Sequence, residues 1–344
     1  MQYYQESGSQ GEIPIRIRVM VMSKRYWINS LCVEVNEKQV DTVSRHIYLN
    51  KKDFLSLTCG PEHILPQGAK WGGLEHALYL TYTCLIDYNL KSVADDLWSA
   101  SRKLFEKHLE ELYPQNLVKN SPEHFANIFK NYFKNIYRAP ASPEKMAFRI
   151  YKTAKYLLEN VDGDPRKILD LYLISAKKRD AQDFLNWLKN QKYKGLPNGD
   201  KVIKLWFRTM CESKELELGN GMWNLQRHEL AKIPMPIDKN IISAGIALGL
   251  VNVTEGRFEG SFSELYEPFK YVWTLVAEKS QTLPLELDEP VWKTGRNCRR
   301  KKCQPSCFFK QICPKITNFM FKGEKTKPSK EWDILVWPIF ECKI

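Results

Sequence analysis

A mainly α-helical chain with small β additions near both termini is the fold class this sequence predicts, on three observations. From Leu74 to about Val251 the apolar residues recur at helical spacing. Proline-led helix starts recur inside that stretch, at Ser121-Pro122-Glu123, Ser142-Pro143-Glu144 and Asp164-Pro165. Strand-like apolar runs are confined to the two ends.

Residues 1–70 read as an N-terminal extension with strands. IPIRIRVMV alternates from Ile13 to Val21, and WINSLCVEV is a second apolar run from Trp27 to Val35. ILVWPIF, from Ile334 to Phe340, is able to pair with them, Pro338 being tolerated only at an edge, so the termini are expected to share one small sheet. LEHALYLTYTCLIDY places Leu74, Ala77, Leu78, Tyr82, Leu85 and Tyr88 on one helical stripe. KSVADDLWSASRKLFEKHLEEL offers Ser92 as a cap, with acids in its first turns. Each Ser-Pro-Glu supplies a capping hydroxyl, a proline preset for the first helical position and an acid suited to the helix dipole, and Asp164-Pro165 starts a helix in the same way. No fixed-period repeat or low-complexity linker divides this array. Residues 71–297 are therefore read as one core, followed by a four-cysteine loop at 298–313 and a basic segment with an edge strand at 314–344.

Composition narrows the class. The 344 residues are 43% hydrophobic, enough for one large domain or two ordinary ones. Nine cysteines are too few for a disulfide scaffold, and Cys32, Cys59, Cys84, Cys211 and Cys342 are scattered as the reduced thiols of a cytosolic protein would be. MQYYQESGSQGE lacks the features of a signal peptide, and the longest uncharged apolar stretch, within Asn240 to Thr254, is too short to span a bilayer. A soluble cytoplasmic monomer without membrane association is expected. The six histidines show no ligand pair at helical spacing, and there is neither a phosphate-cradling Gly-x-x-x-x-Gly-Lys-Ser/Thr loop nor a nucleophile elbow. Common zinc hydrolysis, ATP use and triad hydrolysis have no support.

Charge is concentrated. Between Pro290 and Lys330 twelve Lys and Arg residues face Glu324 alone, while the whole chain carries +12. A directed basic face of this kind suits a phosphate polyanion; the alternative is a solvated lysine-rich tail. Cys298, Cys303, Cys307 and Cys313, embedded in NCRRKKCQPSCFFKQIC, argue against a tail, because four thiols so close are able to hold an iron-sulfur cluster or a zinc ion.

Two further segments carry chemistry. In YKGLPNGDKVIKLWFRTM a turn of Gly195, Pro197, Asn198 and Gly199 joins the helix of DFLNWLKNQ to a second one, and backbone amides at such a turn bind phosphate. Lys201 opens the second helix, ahead of Val202, Ile203, Leu205, Trp206 and Phe207. Desolvation and the helix dipole give it reason to lose its proton, unless it is simply an exposed first-turn lysine. In KIPMPIDKNIISAGIALGLV, Asp238 stands where the helix of Ile241, Ile242, Ala244, Ile246 and Ala247 begins, as an N-cap would.

Together these segments resemble the helix-hairpin-helix DNA glycosylase superfamily, most closely the archaeal 8-oxoguanine DNA glycosylases, over Leu74 to Arg296. YNLKSVADDLW, from Tyr88 to Trp98, resembles a Tyr-x-Leu segment ending in Trp. KVIKLWFRTM resembles the lysine-led helix, IPMPID the Ile-Pro-x-Pro-Val-Asp segment, and LDEPVWKTGR, from Leu287, the Leu-Asp-x-x-x-Trp-x-x-Gly-Arg segment. The resemblance implies a two-lobed helical fold, Lys201 as nucleophile, Asp238 as its acidic partner, and a base pocket of Trp98, Asp288 and Trp292. Core packing is the alternative for the two tryptophans and a helix cap for Asp288. The family's pocket glutamine has no counterpart here. The implied reaction is excision of a damaged or modified base, 8-oxoguanine being favoured, from double-stranded DNA in the nucleoid. The nucleotide is extruded, Lys201 attacks C1′, and β-elimination follows, giving a glycosylase with AP-lyase activity.

Gly195, Gly199, Arg296, Arg299, Arg300, Lys301 and Lys302 are the expected DNA contacts. The Cys-x4-Cys-x3-Cys-x5-Cys run resembles, without matching, the Cys-x6-Cys-x2-Cys-x5-Cys loop of the endonuclease III branch, which carries a [4Fe-4S] cluster. Since Cys-x2-Cys knuckles are absent, the cluster is expected, with zinc as the alternative. Two other readings stay open: a non-catalytic DNA-binding module in which Lys201 only contacts phosphate, and the same chemistry on a different modified base.

Overall fold

The computed structural model describes residues 24–28, 31–58, 60–176, 178–191, 195–196, 199–253, 265–299, 303–315, 319–322 and 333–336. The Ile13–Val21 run, Pro197, Asn198, Arg300, Lys301 and Lys302 lie outside them. The chain is mainly helical with small β additions.

β1 (Arg25–Ile28) and β2 (Leu31–Val35) form an antiparallel hairpin with Arg25 opposite Glu34, so the expected single strand over Trp27 to Val35 is instead parts of two. α1 (Glu37–Leu49) follows, its amides capped by Asn36, and then α2 (Lys51–Leu55). α3 (Leu74–Ile86) is apolar almost all round and buried from His76 onward, as a helix packed on every side must be. α4 (Ala94–Leu112) starts later than expected. Val93 takes the N-cap position and Ser92 does not cap, because the amides of Lys91 and Ser92 are spent on the Ile136 carbonyl.

α5 (Pro114–Lys119), α6 (Pro122–Phe133) and α7 (Pro143–Val161) come next. Ser121 and Ser142 accept from the His124 and Lys145 amides as expected. Asp164 also caps, but what it starts is a 3-10 turn over Pro165–Lys167 that leads into α8 (Ile168–Ala176). α9 (Ala181–Asn190) and α10 (Asp200–Cys211) are the two arms of the hairpin. α11 (Arg227–Leu230), α12 (Lys239–Ala247), α13 (Tyr266–Ser280) and α14 (Pro284–Arg299) complete the helices.

β3 (Val251–Val253) pairs antiparallel with β2, while β4 (Phe319–Lys322) pairs with β5 (Asp333–Val336). The expected sheet shared by the termini is therefore corrected. β2 is flanked by β1 and β3, and the Ile334 end of the chain pairs with a near neighbour, which costs less loop-closure entropy than reaching across the whole chain.

Two hydrophobic cores result. The first, around Tyr79, Phe105, Phe129, Trp206 and Trp223, is built from the helices between α3 and α11. The second joins the three-stranded sheet to α1, α2, α12, α13 and α14 around Val33, Phe54, Ile241, Trp273 and Phe309. α14 spans both, with Leu285 in the first core and Leu287 and Val291 in the second, so its middle faces the cleft between the lobes.

α12 lies against α14 at Gly295, where a β-carbon would sit 1.8 Å from the Asn240 carbonyl oxygen. Neither helix backbone has a way to yield without moving the other. Gly295→Ala is expected to cost about 1–3 kcal/mol in a denaturant melt, and to weaken whatever depends on the α12 N-terminus facing α14. Among the described residues no helix is long and apolar enough to cross a membrane.

Candidate active site and four-cysteine loop

The hairpin aims Lys201 into the cleft. Gly195 has φ +109°, and a β-carbon there would meet the Lys152 backbone of α7 at 2.7 Å, so glycine lets the hairpin seat on that helix. Thr153 locks the seat through its hydroxyl to the Gly195 carbonyl. Gly199 precedes α10 as its N-cap residue. Lys201 then projects from the first turn of α10 with 39% of its side chain accessible, while Val202 to Phe207 bury the helix behind it.

Opposite stands Asp238. Its Oδ1 accepts from the Asn240 and Ile241 amides at 2.8 and 3.0 Å, confirming the cap, and its Oδ2 accepts from Trp292 Nε1 at 3.0 Å. One carboxylate thus ends α12 and fixes a tryptophan of α14 across the cleft. Trp292 is half-buried, with the Arg296 guanidinium 5.4 Å from its ring centre, and Arg296 itself pairs with Asp95 at 2.8 Å.

Lys201, Asp238, Trp98, Asp288, Trp292 and Arg296 line one cavity of about 110 Å³, shared with Asp87, Glu62, Arg208 and Glu289. Five residues expected for catalysis and the pocket, from four separate elements, therefore meet in one place. Trp98 contributes differently from Trp292: only 2% exposed, edge-on to Tyr79 and bonded through Nε1 to Asp87 Oδ2 at 3.3 Å, it is a core residue forming the wall. Asp288 is no helix cap, because it lies inside α14.

The charge state of Lys201 overturns one expectation. The Asp87 carboxylate, with Oδ1 3.8 Å from Nζ, raises the lysine pKa above its ordinary value; burial opposes this, and Asp238, Asp288 and Tyr266 add to the rise. The amine is held protonated rather than made neutral, because the anions around it outweigh desolvation and the helix dipole. Asp87 was not visible as a site residue in the sequence. It follows the last residue of a buried helix, where an aspartate reads as an ordinary helix end.

Behind the pocket lies a buried ionic cluster that sequence reasoning also missed. Arg208, 3% exposed, contacts Glu62 and lies 3.2 Å from Glu212, 3.4 Å from Asp288 and 3.5 Å from Glu289. His63 bridges to Glu289 at 3.0 Å; burial disfavours its cation, but Glu289, Glu212 and Glu62 outweigh that and raise its pKa. Burial pushes Asp288 up to about 7 although Arg208 opposes it. Glu289 is held down at about 2, because His63 and Arg208 overcome its burial.

The sign of the Asp288 effect follows from linkage. The folded state binds a proton that the unfolded state has lost between the ordinary pKa of 3.8 and about 7, so this group's contribution to stability falls as pH rises through that window. Asp288→Asn is expected to melt higher than the parent at pH 8 and to lose that advantage towards pH 4, read from thermal melts across the range.

The four cysteines line a second cavity of about 210 Å³ at the end of α14. Burial first, then the neighbouring Cys313, Cys307 and Cys303, push Cys298 up to about 12. Among the described residues the group of three possible metal ligands within 4.8 Å of one another is Glu62, His63 and Glu289, away from the cysteines. The Lys315 amide donates to Cys313 Sγ at 3.3 Å. The N-terminal helices hold the loop: Phe309 is buried in their core, Phe308 packs on His46 and Phe54, His46 Nε2 lies 2.9 Å from the Phe308 carbonyl, and Gln39 donates to Ile312 O at 3.1 Å. Cys32, Cys84 and Cys211 are buried elsewhere. Nothing is described of the Arg299 side chain.

No protein-family profile matches the chain, and no curated protein matches it. Among solved structures it is similar to an 8-oxoguanine DNA glycosylase from Pyrobaculum aerophilum in complex with 8-oxoguanosine, at 16% identity over 79% of this chain and 95% of that one, with a TM-score of 0.44.

Proposed function

We propose that the chain is a DNA glycosylase with AP-lyase activity, acting on a damaged or modified base extruded from double-stranded DNA. The observation that carries this reading is the convergence of Lys201, Asp238, Asp288 and Trp292 on one cavity of about 110 Å³. An aromatic face, a carboxyl group and an amine nucleophile are what the reaction needs. Extrusion costs a few kcal/mol, which stacking on Trp292 and hydrogen bonds in the pocket offset. As the glycosidic bond breaks, positive charge grows on the sugar beside Asp238. That carboxylate is already oriented by two amides and an indole, so it stabilises the charge without reorganising. The Lys201 amine closes on C1′, and the Schiff base that follows permits β-elimination of the 3′ phosphate.

Asp288 adds a pH-sensitive element, since protonated it donates to a base acceptor and ionised it accepts from a base N–H. 8-Oxoguanine is the first substrate to test. Duplexes carrying 8-oxoguanine, uracil, thymine glycol or modified cytosines, assayed for strand cleavage with and without subsequent alkali, separate excision from lyase action. Duplexes all left intact reject the enzyme reading.

The rival reading is a DNA-binding module, and the raised pKa of Lys201 favours it, since a lysine kept charged suits a phosphate contact. Retained binding without cleavage in the same assays selects it.

For the cysteine loop we propose a [4Fe-4S] cluster held by Cys298, Cys303, Cys307 and Cys313. Four cysteines lining one cavity of about 210 Å³, with no Cys-x2-Cys knuckle among them, support this reading over a single zinc ion. The cluster would brace the basic loop against DNA and take no part in the reaction. Iron and acid-labile sulfide in equal amounts support it; stoichiometric zinc rejects it.

A further inference from the structure

We propose that Asp87 is the base that takes the proton from Lys201, a role resting on the glycosylase reading above. A nucleophilic lysine must shed a proton before it attacks, and the three carboxylates that face it are differently engaged. Asp238 Oδ1 already accepts two backbone amides and Oδ2 the Trp292 indole, so its oxygens are committed to holding α12 and α14 in place. Asp288 is engaged by Arg208, with Oδ2 3.4 Å from Nε. Asp87 differs from both. Its Oδ2 accepts from Trp98, whereas Oδ1 is fully buried, makes no hydrogen bond and lies 3.8 Å from Lys201 Nζ.

The groups facing Lys201 are Asp87 at the end of α3, Asp238 at the start of α12, Asp288 on α14 and Tyr266 on α13. Those facing Asp87 are Lys201, Trp98, Cys84 and Tyr137.

The step balances within the pair. One Nζ–H bond breaks and an O–H bond forms on Oδ1. The freed lone pair makes the Nζ–C1′ bond while the electrons of the glycosidic bond leave with the base, which takes a proton from water. Because the proton moves inside the ion pair, no hydroxide is consumed, and attack proceeds while the pair as a whole carries one proton. Without Asp87, attack waits for the small neutral fraction of lysine, which grows tenfold per pH unit below its pKa.

The test is single-turnover borohydride trapping of the full chain on a duplex with an abasic site, from pH 6 to 9, for wild type and Asp87→Asn. The amide keeps an oxygen for Trp98 and cannot take the proton. The proposal expects a wild-type rate that varies little with pH, and a wild-type to variant ratio that is largest at pH 6 and falls about tenfold per unit as pH rises. If Asp87 only clamps the ammonium, the variant has a lower lysine pKa and is the faster enzyme at every pH, and the proposal is wrong. A ratio independent of pH also overturns it, pointing to a structural role. Should the variant not fold, the wild-type profile decides alone, since a rise of tenfold per unit across the range excludes an internal acceptor. Failure of wild type to be trapped at all rejects the glycosylase reading itself, and with it this proposal.

Discussion

Lys201→Gln is expected to leave the fold and DNA binding intact while lowering trapping and base excision by at least about 10³-fold. Glutamine keeps much of the lysine stem, but the lone pair of its amide nitrogen is delocalised into the carbonyl and does not attack C1′. Several features make the loss specific to chemistry. Lys201 projects from a helix whose buried face is supplied by Val202, Ile203, Trp206 and Phe207, so substitution at its accessible position leaves the core untouched. Removing the cation leaves Asp87 buried without its charged neighbour, so a modest melting change is expected. Denaturant melts and duplex binding in the same buffers distinguish a dead enzyme from an unfolded one. Trapping by the variant at the parent's rate would reassign the nucleophile.

How far this site was legible depends on which physical term decided each part. Asp238 was readable because N-capping is local: an aspartate after Pro236 and before an apolar helical run has one economical place to go. Ser121 and Ser142 were readable on the same ground, and Ser92 failed on it, since its backbone was claimed by a segment some forty residues later, a contact no local pattern announces. The strand pairing failed likewise: apolar alternation identifies a strand but is silent about its partner. Lys201 was placed correctly on its helix while its charge stayed open in the sequence, because its proton is governed by Asp87, Asp238 and Asp288, which come from three other parts of the chain. Trp292 and Trp98 look alike in sequence. One is turned to the cleft by a bond to Asp238, the other into the core by a bond to Asp87.

The buried cluster around Arg208 was invisible for the same reason, and its energetic weight sets the last prediction. Glu62, Glu212, Asp288 and Glu289 come from a loop before α3, the end of α10 and the middle of α14, and one guanidinium with five donors is what permits all four to be buried together. Arg208→Met keeps the volume and removes the charge. Replacing an entire buried ion network by apolar groups is often harmless, but removing one partner strands the others, at about 3–5 kcal/mol. The stranded carboxyls respond by holding protons to higher pH than they do unfolded. The folded variant then binds more protons than the unfolded chain above about pH 4, and its stability falls as pH rises through that range. The deficit against wild type is therefore expected to be largest near pH 8 and to shrink towards pH 5, read from denaturant midpoints at each pH. Arg208→Lys restores a charge without the fork and should recover part of the loss. A methionine variant as stable as the parent at pH 8 would mean that the four acids are buried protonated, and that the rim of the proposed base pocket is neutral before any DNA arrives.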